Sequence, residues 1–234
     1  MKSDQHKLLR IVVAVLTVLS ITISIFCWLY YQSRIFVLVE NGSKSSKEIY
    51  RELSQTLTAD ALSRLNISNP SASKTYRVLS ELLENARSLS HAAYLEVVRF
   101  DEQTSRWIYI LDGHPNSNDV GIFYGEPVDS PYLDSINEVA KTGLAQTGII
   151  EQSEYGHLTT NYFPLLDVKG RTYAVMSIDY AIGDQVGSLK KFLSYFQAFG
   201  VASLLGTLAH LFLGWQSRSL SVANAVTFVT PKKR

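Results

Sequence analysis

No charged residue interrupts the sequence between Arg10 and Arg34, nor between Lys191 and Arg218, and this gap in the charges constrains the chain more than any other feature. A hydrocarbon core of about 30 Å is crossed by roughly 20 helical residues. The first run, IVVAVLTVLSITISIFCWLYYQS, is dense in Ile, Val and Leu and ends on Trp28, Tyr30 and Tyr31, side chains that favour the membrane interface. The second, FLSYFQAFGVASLLGTLAHLFLGWQS, is diluted by Gln197, His210 and glycines but keeps aromatic flanks in Tyr195, Phe196 and Trp215. Both runs are expected to be transmembrane helices, at residues 11–33 and 192–217. The first is longer than a signal-peptide h-region and no A-x-A-like site follows it, so it reads as an uncleaved anchor. A buried core helix is the competing reading for the second.

Charge then orients the chain. Lys2, Lys7 and Arg10 face a single acid, Asp4, before the first run, and Arg218, Lys232, Lys233 and Arg234 follow the second with no acid. From Arg34 to Lys191 the balance reverses, with 20 Asp or Glu against 15 Lys or Arg. Basic short flanks stay inside, so residues 1–10 and the short basic tail 218–234 are expected in the cytoplasm and the central segment outside the cell membrane. The one cysteine, Cys27, lies within the first run. The outer segment therefore has neither disulfides nor thiol chemistry, and its roughly 160 residues are enough to build a core of their own.

Within that segment, Phe36, Val39, Ile49, Leu53, Leu57, Ala61 and Leu65 recur at helical spacing, which predicts a long membrane-proximal helix ending before Pro70. Leu79, Leu82, Leu83, Ala86 and Leu89 give a second helix, 71–90, one apolar stripe. The period then becomes that of strands. AYLEVVRF (93–100) and RWIYIL (106–111) predict a hairpin, followed by a polar loop, GHPNSND. Residues 120–124 are expected to be a short strand or extended chain, and Ser130-Pro131 opens a short helix over 132–142. Strands are expected at 144–151, 157–165 and 171–180, with a turn at Asp167–Gly170 between the last two. An amphipathic stretch, 182–192, leads into the second run. The sum is an α+β domain with an antiparallel sheet of about five strands.

The order of Tyr124-Gly-Glu-Pro-Val-Asp129, Tyr155-Gly-His157, Tyr162-Phe-Pro-Leu165, Asp167, Gly170 and Val175-Met-Ser-Ile-Asp179 resembles the extracytoplasmic PAS-like sensor domains called Cache domains, over 34–191 and in their single-module form. The resemblance implies a long N-terminal helix, a five-stranded sheet and a helix returning to the membrane. It also implies a small-molecule extracytoplasmic ligand (a carboxylate, an amino acid or a similar metabolite) held between sheet and overlying loops, a homodimer, and relay through the membrane helices to a signalling partner. The 16 residues after Arg218 are too few for a kinase or cyclase, and Asn224, Thr227 and Pro231 are expected to interrupt any continuing helix. The output is therefore expected on another polypeptide or on a missing segment.

In a PAS-like cavity roofed by 113–132, the candidate ligand-binding residues are Arg106, Trp107, Tyr109, Tyr124, Asp129, Tyr132, Tyr162 and Asp179. Strand alternation separates Arg106 and Ile108 from Trp107 and Tyr109, so the arginine and the aromatics do not line one pocket if the strand is regular. Arg106 suits a carboxylate if it faces a ligand, and the tyrosines offer hydroxyls within an aromatic wall. Asp129 either serves the site or caps the short helix. Asp179 either receives a ligand amine or caps a helix beginning near Ala181.

His91, His114 and His157 show no metal-ligand spacing, and no nucleophile elbow or phosphate loop is present. No enzyme activity, metal, cofactor or nucleic-acid partner is expected. His210 is an ionisable group inside a span, and Lys232, Lys233 and Arg234 suit anionic lipid. The sensor reading competes with a non-sensing scaffold or assembly protein that uses the same fold for protein contact.

Overall fold

A computed structural model of the chain describes residues 2–65, 73–113, 124–153 and 156–227. The elements are α1 (Lys2–Leu53), α2 (Ala59–Ser63), α3 (Lys74–Ser90), β1 (Tyr94–Asp101), β2 (Arg106–Asp112), a 3-10 turn (Ser130–Tyr132), α4 (Leu133–Thr142), β3 (Gln146–Ser153), β4 (Gly156–Leu166), β5 (Thr172–Ala181) and α5 (Gly183–Thr227). The chain divides into two units, residues 35–186 and residues 1–34 with 187–234.

Among the described residues, two helical stretches, Ile11–Leu53 and Val186–Ala209, are long and apolar enough to cross a membrane. Their apolar side chains, from Ile11 to Leu29 and from Phe192 to Leu208, are largely exposed. The two helices touch through small and hydroxyl-bearing residues. Thr17 and Thr207 share a hydrogen bond of 2.7 Å, and Gly200 lies against the hydroxyls of Ser24 and Ser20.

The unit over 35–186 is an α+β fold around one antiparallel sheet, in the order β2-β1-β5-β4-β3. Two of its turns are set by aspartates. At the β1–β2 hairpin the Asp101 carboxylate accepts from the backbone of Gln103 and Thr104. At the β4–β5 turn Asp167 accepts from the backbone of Lys169 and Arg171, and Gly170 takes the left-handed conformation at φ +75°. Side chains alternate across the pleat, which gives the sheet two dressed faces. One packs Leu95, Val97, Ile108, Ile110, Phe163, Met176 and Ile178 against Ile49 and Leu53 of α1 and Leu79 and Leu83 of α3. The other packs Val98, Trp107, Tyr109, Tyr162 and Val175 against Ile136 and Val139 of α4.

Three boundaries differ from the sequence reading. The helix expected to continue to Leu65 stops at Leu53, and a separate turn, α2, starts where the Thr58 hydroxyl accepts from the Ala61 backbone. Threonine favours such caps over helix interior. Leu57, Leu62 and Leu65 are buried all the same, so the apolar spacing marked burial rather than an unbroken helix. The helix expected from residue 71 begins at Lys74, because the Ser73 hydroxyl accepts from Tyr76 and caps it there; residues 66–72 lie outside the described ones. The interruption expected at Asn224 does not occur, since α5 runs to Thr227.

Candidate functional site

The face of the sheet under α4 gathers most of the sequence-selected residues and several that the sequence did not single out. Register fixes the arrangement. Glu96 on β1 stands opposite Asp112 of β2 and Ser177 of β5, and Ser177 stands opposite Tyr162 of β4. One step along, Asp179 lies between Tyr94 of β1 and Thr160 of β4. Glu151 of β3 closes the group from the side, accepting from the Tyr162 hydroxyl at 3.1 Å and the Thr160 hydroxyl at 3.3 Å. The Ser177 hydroxyl donates to Asp179 at 3.3 Å.

A bulge makes this arrangement possible. Val97 pairs with Leu111 but Val98 with Tyr109, so Ile110 is an extra residue in β2. Both Ile110 and Leu111 then enter the core on the α1/α3 face, and Asp112 comes out beside Glu96. In a regular strand Asp112 would share a face with Ile108 and Ile110.

These carboxylates sit where charge is expensive. Glu96 and Asp179 are each 7% exposed, and among the described residues neither belongs to an ion pair; those present involve Asp60, Glu84 and Asp167. Burial first, and then the neighbouring Asp179 and Asp112 charges, hold the Glu96 carboxyl well above the usual range. Burial likewise pushes Asp179 up to about 7, the Glu151 charge adding to it while the neighbouring Thr160 and Ser177 hydroxyls oppose it. Glu151 is raised less, by burial, against its two hydroxyl donors. Burial also raises the phenols of Tyr109 and Tyr162. Two like charges in one dry site favour a shared proton or an incoming cation.

Of the eight candidates, Trp107, Tyr109, Tyr132, Tyr162 and Asp179 lie on this face. Trp107 donates its indole N–H to Asn137 of α4 at 2.8 Å; with Tyr109 and Tyr162 it belongs to the packed layer under α4, against which Tyr132 rests. Asp179 lies inside β5, before α5 begins at Gly183, so it caps no helix. Three candidates lie elsewhere. Tyr124 packs on the opposite face, edge-on to Tyr76 of α3 at 6.0 Å and near Arg99, which donates to Tyr173 at 2.7 Å. The chain after Tyr124 runs along β2, with Gly125 and Val128 donating to the carbonyls of Tyr109 and Trp107, and this course turns Tyr124 toward α3. Arg106 is exposed opposite Asp101 at the end of the hairpin. Asp129 is exposed at the start of the 3-10 turn and makes no capping hydrogen bond.

Glu96, Asp112, Glu151, Ser177 and Thr160 were missed. A signal existed for Glu96, an acid between Leu95 and Val97 in an otherwise apolar strand. Of the roof expected over 113–132, residues 114–123 lie outside the described ones, as do the His210 side chain and Lys232 to Arg234. The sequence carries no catalytic motif, and among the described residues no group of three His, Cys, Asp or Glu is placed to hold a metal ion.

No protein-family model matches the sequence, and no curated protein matches it. Solved structures match it at low identity and at TM-scores below 0.5. The ligand-binding domain of the Campylobacter jejuni chemoreceptor Tlp3, in complex with 4-methylisoleucine, matches 74% of this chain and 63% of its own at 11% identity and a TM-score of 0.49. The E. coli DcuS sensor domain matches 65% of this chain and 97% of its own, at 14% identity and a TM-score of 0.44. The sensor domain of the V. cholerae histidine kinase DctB matches 65% and 58%, at 14% identity and a TM-score of 0.40. The chain thus spans less than two thirds of the first and third of these. At such identities no residue of those domains is carried over to this one.

Proposed function

We propose that this chain is a two-pass membrane sensor whose unit over 35–186 lies outside the cell membrane. It binds there, on the α4 face of the sheet, a small molecule bearing an ammonium group, such as an amino acid or an amine. The observation that carries the reading is the placement of Glu96 and Asp179, each about nine-tenths buried and neither in an ion pair among the described residues, on one face beside Ser177, Thr160 and Tyr162. An ionised carboxylate in such a setting is costly until a cation meets it. An ammonium with three N–H donors supplies both the charge and partners for the acceptors. Arg106, the residue best suited to a carboxylate, is exposed away from this face, which moves the choice of ligand from acids toward amines. The negative balance between two basic flanks supports the topology. In this reading the sensor works as a homodimer and hands its state to a separate signalling partner.

The test is a thermal-shift screen of the full chain in detergent or nanodiscs against amino acids, amines and amine-free carboxylates. The expected result is a saturable stabilisation by ammonium compounds alone, lost in Glu96→Gln and Asp179→Asn while Arg106→Ala retains it. Because burial pushes the Asp179 carboxyl up to about 7, binding should strengthen as pH rises through that value and release protons. Stabilisation by carboxylates that lack an amine, or by none of the compounds, would overturn the reading.

A further inference from the structure

The acids of the α4 face form a row rather than a knot. Asp112 on β2 stands directly opposite Glu96 on β1. On the next strand, β5, Asp179 is the diagonal neighbour of Glu96, since Glu96 pairs with Ser177 and Tyr94 with Asp179. Farther on, Glu151 of β3 accepts from the hydroxyl of Thr160, whose strand partner is Asp179. Facing residues of adjacent strands stand about 5 Å apart and diagonal ones about 7–8 Å. Two poles result, Glu96 with Asp112 and Asp179 with Glu151, and the line between them crosses the strands. Glu96, Asp112 and Asp179 are buried, and among the described residues no hydrogen bond offsets the burial of the Glu96 carboxylate. The Tyr109 and Tyr162 phenols border the row, the first sensing the charges of Glu96 and Asp179, the second those of Glu151 and Asp179. No three acids among the described residues converge as metal ligands would, so a point cation does not serve both poles.

The same face offers nothing to a ligand carboxylate. Residues 93–181, which build it, include five Lys or Arg. Arg99 donates to Tyr173 and lies near Tyr124 on the α1/α3 face. Arg106 ends the hairpin, and Lys141 is exposed in the last turn of α4. Lys169 and Arg171 belong to the β4–β5 turn, where Arg171 pairs with Asp167 at 2.9 Å. Between Arg106 and Lys141 the sequence has six acids and no Lys or Arg, so residues 114–123 supply no such cation either. An amino acid laid along the row would set its own carboxylate among acids, with no opposite charge to offset its desolvation. We infer that the ligand is a linear diamine or longer polyamine without a carboxylate, lying across the strands with one ammonium at Glu96 and Asp112 and another at Asp179 and Glu151. The inference rests on the ammonium site proposed above and narrows it. Each ammonium meets a pair of acids that repel one another when both are ionised. The methylene chain between them lies against the Tyr109 and Tyr162 rings, whose faces also attract the charged ends. Joining two ammonium groups in one chain makes the second contact intramolecular, so a diamine binds more tightly than either half alone.

The test is isothermal titration of the full chain with putrescine, spermidine, butylamine and γ-aminobutyrate, in nanodiscs of zwitterionic lipid, whose surface does not retain polyamines. Putrescine, butylamine and γ-aminobutyrate share one carbon chain and differ in what ends it. Putrescine and spermidine should bind at least about tenfold more tightly than butylamine, and γ-aminobutyrate more weakly than butylamine. Asp112→Asn and Glu151→Gln each take one acid from one pole. Each should weaken putrescine about tenfold, while butylamine, with the other pole open to it, changes little. Butylamine or γ-aminobutyrate binding as tightly as putrescine would overturn the inference and leave the ammonium site standing. No binding by any of the four compounds would overturn both. Putrescine held equally well by wild type and by both folded variants would overturn the placement across two poles; if one variant does not fold, the other decides.

Discussion

Asp179→Asn should make the protein more stable at pH 8 and leave it nearly unchanged at pH 4. Burial, with the Glu151 charge, raises the Asp179 carboxyl from 3.8 to about 7. Between those values the folded protein keeps a proton that the unfolded chain has released. Stability therefore falls as pH rises through this window and levels off above about 7. A shift of that size corresponds to about 4 kcal/mol at pH 8, which is a large part of the 5–15 kcal/mol typical of a folded domain. Asparagine keeps the acceptor that Ser177 uses and removes the charge, so most of this penalty should disappear. Relieving Glu96 of a like-charged neighbour acts in the same direction. Asp101 and Asp167, lowered by their turn hydrogen bonds, act only at more acidic pH. Denaturant unfolding of wild type and variant at half-unit steps from pH 4 to pH 8 would measure the difference. A wild-type stability that rises with pH over this range, or a variant less stable at pH 8, would refute the account of an uncompensated buried acid.

Other outcomes follow from single contacts. Gly148→Ala should destabilise by about 2–5 kcal/mol, the left-handed backbone term of about 1–2 kcal/mol plus about 1–3 kcal/mol of crowding, because φ is +76° and the new Cβ would stand 2.7 Å from Val39. Gly170→Ala, with nothing within 4 Å, should cost only the left-handed backbone term of about 1–2 kcal/mol; equal losses in the two would refute the close approach of α1 to β3. Phe163→Ala removes a fully buried ring stacked on Tyr50 and should cost about 3–5 kcal/mol by chemical unfolding. Thr17→Val breaks the hydrogen bond to Thr207 and should lower resistance to denaturing detergent by about 0.6 kcal/mol. No loss there, with loss in Thr207→Val, would show that the two hydroxyls are not each other's partners.

The helices and strands were legible because each carries its own period. Leu79 to Ala86 declare α3, the alternation in RWIYIL declares β2, and Asp167 with Gly170 declares the last turn. Caps at Thr58 and Ser73 were written in the sequence too, but apolar spacing at Leu57, Ala61 and Leu65 outweighed the first of them, since burial and helix continuity leave the same trace. The candidate site was legible only in part. Alternation separated Arg106 from Trp107 and Tyr109, whereas side-chain chemistry alone grouped Tyr124 with Tyr162, which lies on the opposite face of the sheet.

By itself the sequence determined the two apolar helices, their charge-poor spacing, the order of helix and strand, and the turns in which an aspartate holds the backbone. All of these depend on residues near one another in the chain. The tertiary structure decided which strand faces coincide, and so which side chains share a site. Period-two alternation sorts residues within a strand but carries no information about its neighbour's register. A single extra residue, Ile110, was enough to turn Asp112 to the side of Glu96. That register turned scattered acids into one buried group.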